Sequence, residues 1–268
     1  MKITLINFAN EAYAEAQKYN TLSAKHIAKV DKVIECSPKM IDEDFLKKNS
    51  HIFSYKRGFG LWLWKPYFIK KYLDKIDENE YLFYSDAGAI FCRNIRPLIE
   101  SMGEDDIWIS DIPLIEEEWT KSDIFSFFNC YDDRIVKTQQ MQAPFLIFRK
   151  TKKSVKFVDD WLNACMNIDL LRPLEEGEYS GVCISHREDQ SILSVMCKLN
   201  GIKPHKDPTQ YGKFTQVYNK DGRTYMVPEH DDKYPIMIVH HRMAKMNNLM
   251  ALKLLLKTAL PNGWKETK

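Results

Sequence analysis

Apolar positions along this chain follow two rhythms in alternation, short β-branched runs and longer stretches at helical spacing. The run ITLINF at 3–8 has the length and branching of a buried strand, and Asn10 stands as N-cap before the helical stretch 11–30, with Glu11 in its first turn. KVIEC at 32–36 predicts a second strand, and 42–49 a brief helix. After RGFG at 57–60, Pro66 suits the first turn of the helix PYFIKKYLDKI, where its missing N–H costs nothing. EYLFYS at 80–85 predicts the central strand, followed by DIWIS at 106–110, APFLIF at 143–148 and PIMIVH at 235–240. KKSVKFVDDWLNACMNI and DQSILSVMCKLN carry helical periodicity between them.

This alternation predicts an α/β, Rossmann-like fold: a mostly parallel central sheet flanked by helices, with ligands at the carboxyl ends of the strands. The length, 268 residues, suits one domain over 1–242, followed by a C-terminal amphipathic helix and tail over 243–268. Lys245, Lys253 and Lys257 stand among Leu and Met in that tail, a pattern that fits a helix resting on a membrane surface or packed on the domain or a second copy. The polar stretches 171–186 and 206–233 are expected to be lids or acceptor loops.

Composition narrows the function. Thirty-nine basic residues against 37 acidic ones give a net charge of +2, too balanced to favour nucleic acid. The six cysteines form no C-x-x-C pair and read as reduced, mostly buried thiols. No segment approaches the roughly 20 apolar residues of a spanning helix, and Met1-Lys2 leads directly into the first strand. A cytoplasmic location is expected, at the inner face of the cell membrane if the tail binds there.

Four clusters carry candidate chemistry. Asp86-Ala87-Gly88 ends the strand 80–85, where a carboxylate reaches a ligand; an Asp capping a tight turn is the competing structural reading. Arg57, Gly58 and Lys65 lie around a helix start, a setting that favours phosphate, while Trp62 and Trp64 share one face of the segment and suit a core as well. Arg187, Glu188 and Asp189 open the helix of DQSILSVMCKLN, so a carboxylate there serves either as a general base or as a helix cap. His240, His241 and Arg242 end the last strand; alternation turns His240 and Arg242 to one side and His241 to the other. Between these clusters, Asp111, Glu118, Trp119, Lys121, Asp123 and Gln142 form a polar-aromatic series suited to a carbohydrate acceptor.

In order, RGFGLWLWKP, YSDAG, EEEWTKSD, HREDQS and HHR over 1–245 resemble the GT-A glycosyltransferases of bacterial capsule and lipopolysaccharide clusters. The resemblance implies hexosyl transfer from a nucleotide-diphosphate sugar, UDP-linked, to a carbohydrate or lipid-linked glycan in surface polysaccharide synthesis. It implies Asp189 or Glu188 as the base of an inverting reaction, although Asp189-Gln190 is also similar to retaining members. Donor binding falls to Asp86, Ala87, Gly88, Arg57, Gly58, Lys65, Arg187 and Arg242, and acceptor binding to Asp111, Glu118, Trp119, Asp123 and Gln142. Asp86 matches the first acid of the Asp-x-Asp turn and Gly88 stands where the second would be. A divalent cation, Mn2+ or Mg2+, at Asp86 and His240 is therefore expected to help rather than be obligatory. A homodimer fits the same tail. Two other readings compete: a metal-dependent hydrolase built from Asp86, His186, Asp189, His240 and His241, and a non-catalytic nucleotide-sugar or carbohydrate-binding module.

Overall fold

The computed structural model describes residues 1–175, 177–178, 181–260 and 263–264. Residues 176, 179 and 180 of the expected lid 171–186, and 261–262 and 265–268 of the tail, lie outside the described residues. Among the described residues seven strands are formed: β1 (Ile3–Phe8), β2 (Lys32–Cys36), β3 (Tyr81–Ser85), β4 (Ala89–Phe91), β5 (Ile107–Ile115), β6 (Gln139–Arg149) and β7 (Ile238–His240). Five of them make one sheet in the order β2-β1-β3-β6-β5, with β3 in the middle. β1 pairs in parallel with β2 and β3, whereas β6 runs antiparallel to both β3 and β5, so only β6 opposes the common direction.

Strict alternation sorts the side chains of this sheet into two cores. Ile6, Phe8, Leu82, Tyr84, Leu146 and Phe148 face the helices Trp64–Leu73, Lys152–Cys165 and Glu188–Leu199. Ile3, Leu5, Phe83, Phe145 and Ile147 face Ala24, Ala28, Leu98 and the β4–β7 ribbon. A strand buried on both faces is predominantly apolar, which is why ITLINF and YLFYS read as near-continuous runs, with Thr4, Asn7 and Ser85 their buried polar members.

Two expectations need correction, on PIMIVH and on Asn10, and the stretch 206–233 takes a definite course. PIMIVH yields only the three-residue β7, which leaves the main sheet and pairs antiparallel with β4. Asn10 takes an extended conformation before the first helical turn, but its side chain makes no capping bond and its Oδ1 is buried without a partner. The stretch 206–233 is strapped to the domain: Gln210 bonds both backbone groups of His240, Thr224 bonds the Glu118 carboxylate, and His230 bonds Asp111. All six cysteines are free, four of them buried.

The helix Asn248–Ala259, capped by the Asn247 side chain on Met250 N, buries none of its residues fully. Leu249, Leu252 and Leu256 are more than half exposed along one face. Among the described residues no helix is long and apolar enough to cross a membrane.

The glycines of RGFG serve backbone geometry. Gly60 has φ +81° and its missing Cβ would lie 2.6 Å from the Phe53 ring; at Gly58, φ +58°, the contact would be 2.4 Å from Trp62. Gly60→Ala is expected to lose more than about 1 kcal/mol, because alanine meets both the left-handed backbone and the Phe53 ring. Urea unfolding monitored by tryptophan fluorescence reads this as a lower midpoint at unchanged slope.

Candidate active site

Where β1 and β3 end, a cleft of about 640 Å³ opens between the segment 56–65, the turn 86–88 and the start of the Glu188–Leu199 helix. Its floor is organised by a buried cation. Lys65 sits in the first turn of the Trp64–Leu73 helix with its side chain only 5% exposed. Its Nζ lies 3.0 Å from Asp189 Oδ2, 3.9 Å from Asp86 Oδ1 and 5.3 Å from the Tyr84 ring centroid. Tyr84 OH donates to Asp86 Oδ1 at 2.5 Å, and Arg57 Nε donates to Glu188 Oε1 at 2.6 Å.

Burial and charge pull against each other here. Burial by itself lowers the affinity of Lys65 for its proton, but Asp189 and Asp86 outweigh it and hold the ammonium above its ordinary value. Burial pushes Asp189 up to about 6 against the pull of Lys65, and raises Glu188 against that of Arg57. The Tyr84 hydroxyl is driven well above the usual phenol range by burial and by Asp86, so it stays a donor. Burial, then the neighbouring Arg242 and His241, hold His240 well below the usual imidazole range.

The carboxylates are fixed from behind. Gln190 donates to Gln140 Oε1 at 2.8 Å and accepts from Ala143 N, while Gln140 donates to Glu116, itself paired with Lys198 at 2.7 Å. Ser191 Oγ donates to Trp119 O, and Trp161 Nε1 donates to Asp189 O. Backbone strain gathers at the same place: Phe59, Trp62, Glu188 and Arg242 all line the cleft at positive φ, between 41° and 60°. Non-glycine residues are held there only where the surroundings over-determine them, which is common at functional sites.

The structure brings Arg57, Gly58, Lys65, Asp86, Ala87, Gly88, Trp119, Arg187, Glu188, Asp189, His240 and Arg242 to this one cleft. It does not bring the rest of the acceptor series. Asp111 accepts from His230 Nε2 at 2.8 Å beside a separate hollow under the 206–233 strap. Gln142 is buried and donates to Ser110 Oγ, Glu118 is spent on Thr224, Lys121 donates to Arg172 O, and Asp123 is exposed on the helix Ser122–Phe127. Asp111, Gln142, Glu118 and Lys121 are thus satisfied within the fold and Asp123 faces solvent, and none of the five lines the cleft. The hydrolase set also separates: His186 is buried, its Nε2 at 3.0 Å from Leu170 O and its basicity pushed down to about 3 by burial, and His241 stands outside the cleft lining.

Residues that sequence reading passed over include Tyr84 and Arg223. Tyr84 had a usable signal, since residues two apart on a strand share a face and Asp86 follows it by two. Arg223 had none; its guanidinium lies 5.0 Å from the Trp119 ring centroid, reached through a polar loop.

A divalent cation, expected at Asp86 and His240, does not fit the residues present. Asp86 Oδ1 already takes the Tyr84 proton donor and lies near Lys65, and Gly88 offers no side chain. Adding even a Cβ at Gly88 would place it 3.1 Å from Arg242 Cα. Among the described residues no group of three His, Cys, Asp or Glu side chains is arranged to hold an ion.

The Lys65–Asp189 pair generates a stability prediction. Because Asp189 is raised from its ordinary 3.8 to about 6, its favourable contribution is fully present below 3.8 and lost as pH rises through 6. Lys65→Met should deepen that loss, costing about 3–5 kcal/mol at pH 7, and the double variant Lys65→Met/Asp189→Asn should recover most of it. Denaturant unfolding of the parent, Lys65→Met, Asp189→Asn and the double variant at pH 7 and pH 5 measures this; a Lys65→Met cost unchanged by the second substitution would refute the coupling.

The chain matches no protein-family profile and no curated protein sequence. Among solved structures it is similar to apo xyloside xylosyltransferase 1 of mouse, at TM-score 0.50 and 10% identity over 92% of this chain and 100% of that one. It is also similar to the galactosyltransferase LgtC in complex with donor and acceptor sugar analogs, at TM-score 0.49 and 13% identity over 98% and 99% of the two chains. A glycosyltransferase involved in glycosylation of the major capsid of PBCV-1 gives TM-score 0.44 and 10% identity over 97% and 100%. The α/β architecture of this chain is that of the GT-A glycosyltransferase fold.

Proposed function

We propose that the chain is a hexosyltransferase that uses a nucleotide-diphosphate sugar, UDP-linked, and a carbohydrate or lipid-linked glycan acceptor in surface polysaccharide synthesis. The observation that carries this reading is the convergence of Asp86, Glu188 and Asp189 with Lys65 at the carboxyl ends of β1 and β3. In an α/β sheet that is the position where a ligand binds.

The reaction assigned to the site is inverting. Asp189 takes the proton of the acceptor hydroxyl as its oxygen forms the new bond to the sugar's anomeric carbon. The bond from that carbon to the diphosphate oxygen breaks, and its electron pair leaves with the nucleoside diphosphate. A carboxylate poised near 6 is ionised at neutral pH yet basic enough to accept a proton in the transition state. Lys65 orients it, and Arg57 does the same for Glu188. Asp86 takes the donor ribose or sugar, held in place by the Tyr84 hydroxyl.

The tail fits peripheral attachment where a lipid-linked acceptor resides. Leu249, Leu252, Leu256 and Leu260 are exposed, Lys253 and Lys257 accompany them, and no acidic residue occurs between 243 and 260, so an anionic bilayer is the complementary surface. Leu252→Glu/Leu256→Glu should abolish co-sedimentation with vesicles containing phosphatidylglycerol while the unfolding midpoint stays near that of the parent.

Asp189→Asn keeps the shape of the side chain but cannot accept the proton. Transfer from a UDP-hexose should fall about a hundredfold to ten-thousandfold while UDP affinity changes little. In the parent enzyme kcat should drop about tenfold per pH unit below 6, as Asp189 becomes protonated. Near-normal transfer by Asp189→Asn, or product with the donor's anomeric configuration by NMR, would overturn the assignment.

A further inference from the structure

The glycine in Asp86-Ala87-Gly88 has a geometric cause that bears on charge. Gly88 O accepts from both His241 N and Arg242 N at 2.9 Å, and a side chain at 88 would press on the Arg242 backbone at 3.1 Å. The contact that excludes a second carboxylate is therefore the one that sets Arg242. That residue is held at φ 59°, with its guanidinium 5.0 Å from the Tyr211 ring centroid.

Two more guanidinium groups gather beside it. Arg187 and Arg223 lie 4.3 Å and 5.0 Å from the ring centroid of the buried Trp119. Among the described residues none of Arg187, Arg223 and Arg242 forms an ion pair, in contrast to Arg57 and Lys65; Arg187 and Arg242 line the cleft, and Arg223 reaches its edge from the 206–233 stretch across the Trp119 ring, which also lines it. Arg187 Nε is buried without a hydrogen-bond partner. Burial, together with the neighbouring Arg242 and Arg223 cations, lowers the Arg187 proton affinity to about 10. Three like charges held together on aromatic faces, one with an unsatisfied buried donor, are costly unless an anion completes them. Guanidinium forks match phosphate oxygens in pairs.

We propose that Arg187, Arg223 and Arg242 form a cluster that binds the donor diphosphate and neutralises it in place of a divalent cation. The proposal rests on the nucleotide-sugar reading above and adds how the leaving group is held. When the bond between the anomeric carbon and the diphosphate oxygen breaks, the electron pair stays on that oxygen, and preorganised guanidinium donors stabilise the charge that develops. No proton or metal need move in this step.

Isothermal titration of the full chain with UDP and, separately, with inorganic pyrophosphate, each in EDTA and in Mn2+, tests it. Both ligands should bind in EDTA, with UDP affinity within about threefold of its value in Mn2+. Arg223→Gln should weaken both about tenfold or more, and Arg223→Lys, which keeps the charge but not the fork, by less. Arg187→Gln and Arg242→Gln should act alike where thermal unfolding shows them folded. UDP binding lost in EDTA and restored by Mn2+ would overturn the cluster's role and leave the nucleotide-sugar reading intact. Pyrophosphate binding sensitive to Arg223 with no UDP binding in either buffer would sink the nucleotide-sugar reading and keep the anion site. Unchanged affinities in Arg223→Gln, or no pyrophosphate binding in EDTA, would remove the cluster from consideration.

Discussion

The ion pair between Lys65 and Asp189 is the constraint from which the site is built. Both side chains are nearly inaccessible, and an unpaired charge there would cost several kcal/mol, so the helices that begin at Trp64 and Glu188 are obliged to present their first turns to one another. That meeting closes one wall of the cleft over β3. It also places Tyr84 and Asp86 under the ammonium group and sets Glu188 within reach of Arg57. Buried pairs seldom add stability over an apolar substitute. The value of this one lies in orientation: it leaves a carboxylate at an intermediate proton affinity inside a pocket.

Around that centre the protein separates its charges. Arg57 and Lys65 are neutralised by carboxylates, whereas Arg187, Arg223 and Arg242 rest on aromatic rings. One end of the site thus carries paired carboxylates and the other an excess of positive charge, the division on which the proposed proton transfer and diphosphate binding rest. Gly88 links the two, since its lack of a side chain admits the Arg242 backbone. The strained φ values of Glu188 and Arg242 fall at these two ends, where precise aiming repays local strain.

Much of the fold was legible in the sequence because buried strands and amphipathic helices are local patterns. β1, β2 and β3 fall where their apolar runs predict, and so do the helices opened by Trp64, Lys152 and Glu188. Strand direction is not a local property, so the reversal of β6 and the departure of β7 into a ribbon with β4 left no trace in hydropathy. The same division holds at the site. Asp86, Glu188 and Asp189 stood out as acids at element ends, but the pairing of Asp189 with Lys65 spans 124 residues of chain and is visible only once folded. The sequence could not place Asp111 and Gln142 relative to the cleft, because a polar residue in a strand reads alike whether it faces a ligand or bonds internally, as these two do to His230 and Ser110. Arg223 lay in a loop without pattern, and only the Trp119 ring gives its position meaning.

Activation of a nucleotide-diphosphate sugar by this cleft is the proposed function. It is met most directly by incubating the protein with a panel of UDP-hexoses, without acceptor, and measuring released UDP by anion-exchange chromatography. At least one donor should be slowly hydrolysed, since water can take the place of the acceptor hydroxyl, and release should be lost in Asp86→Ala. No release from any nucleotide-sugar, together with no saturable binding of any of them, would contradict donor activation at this cleft.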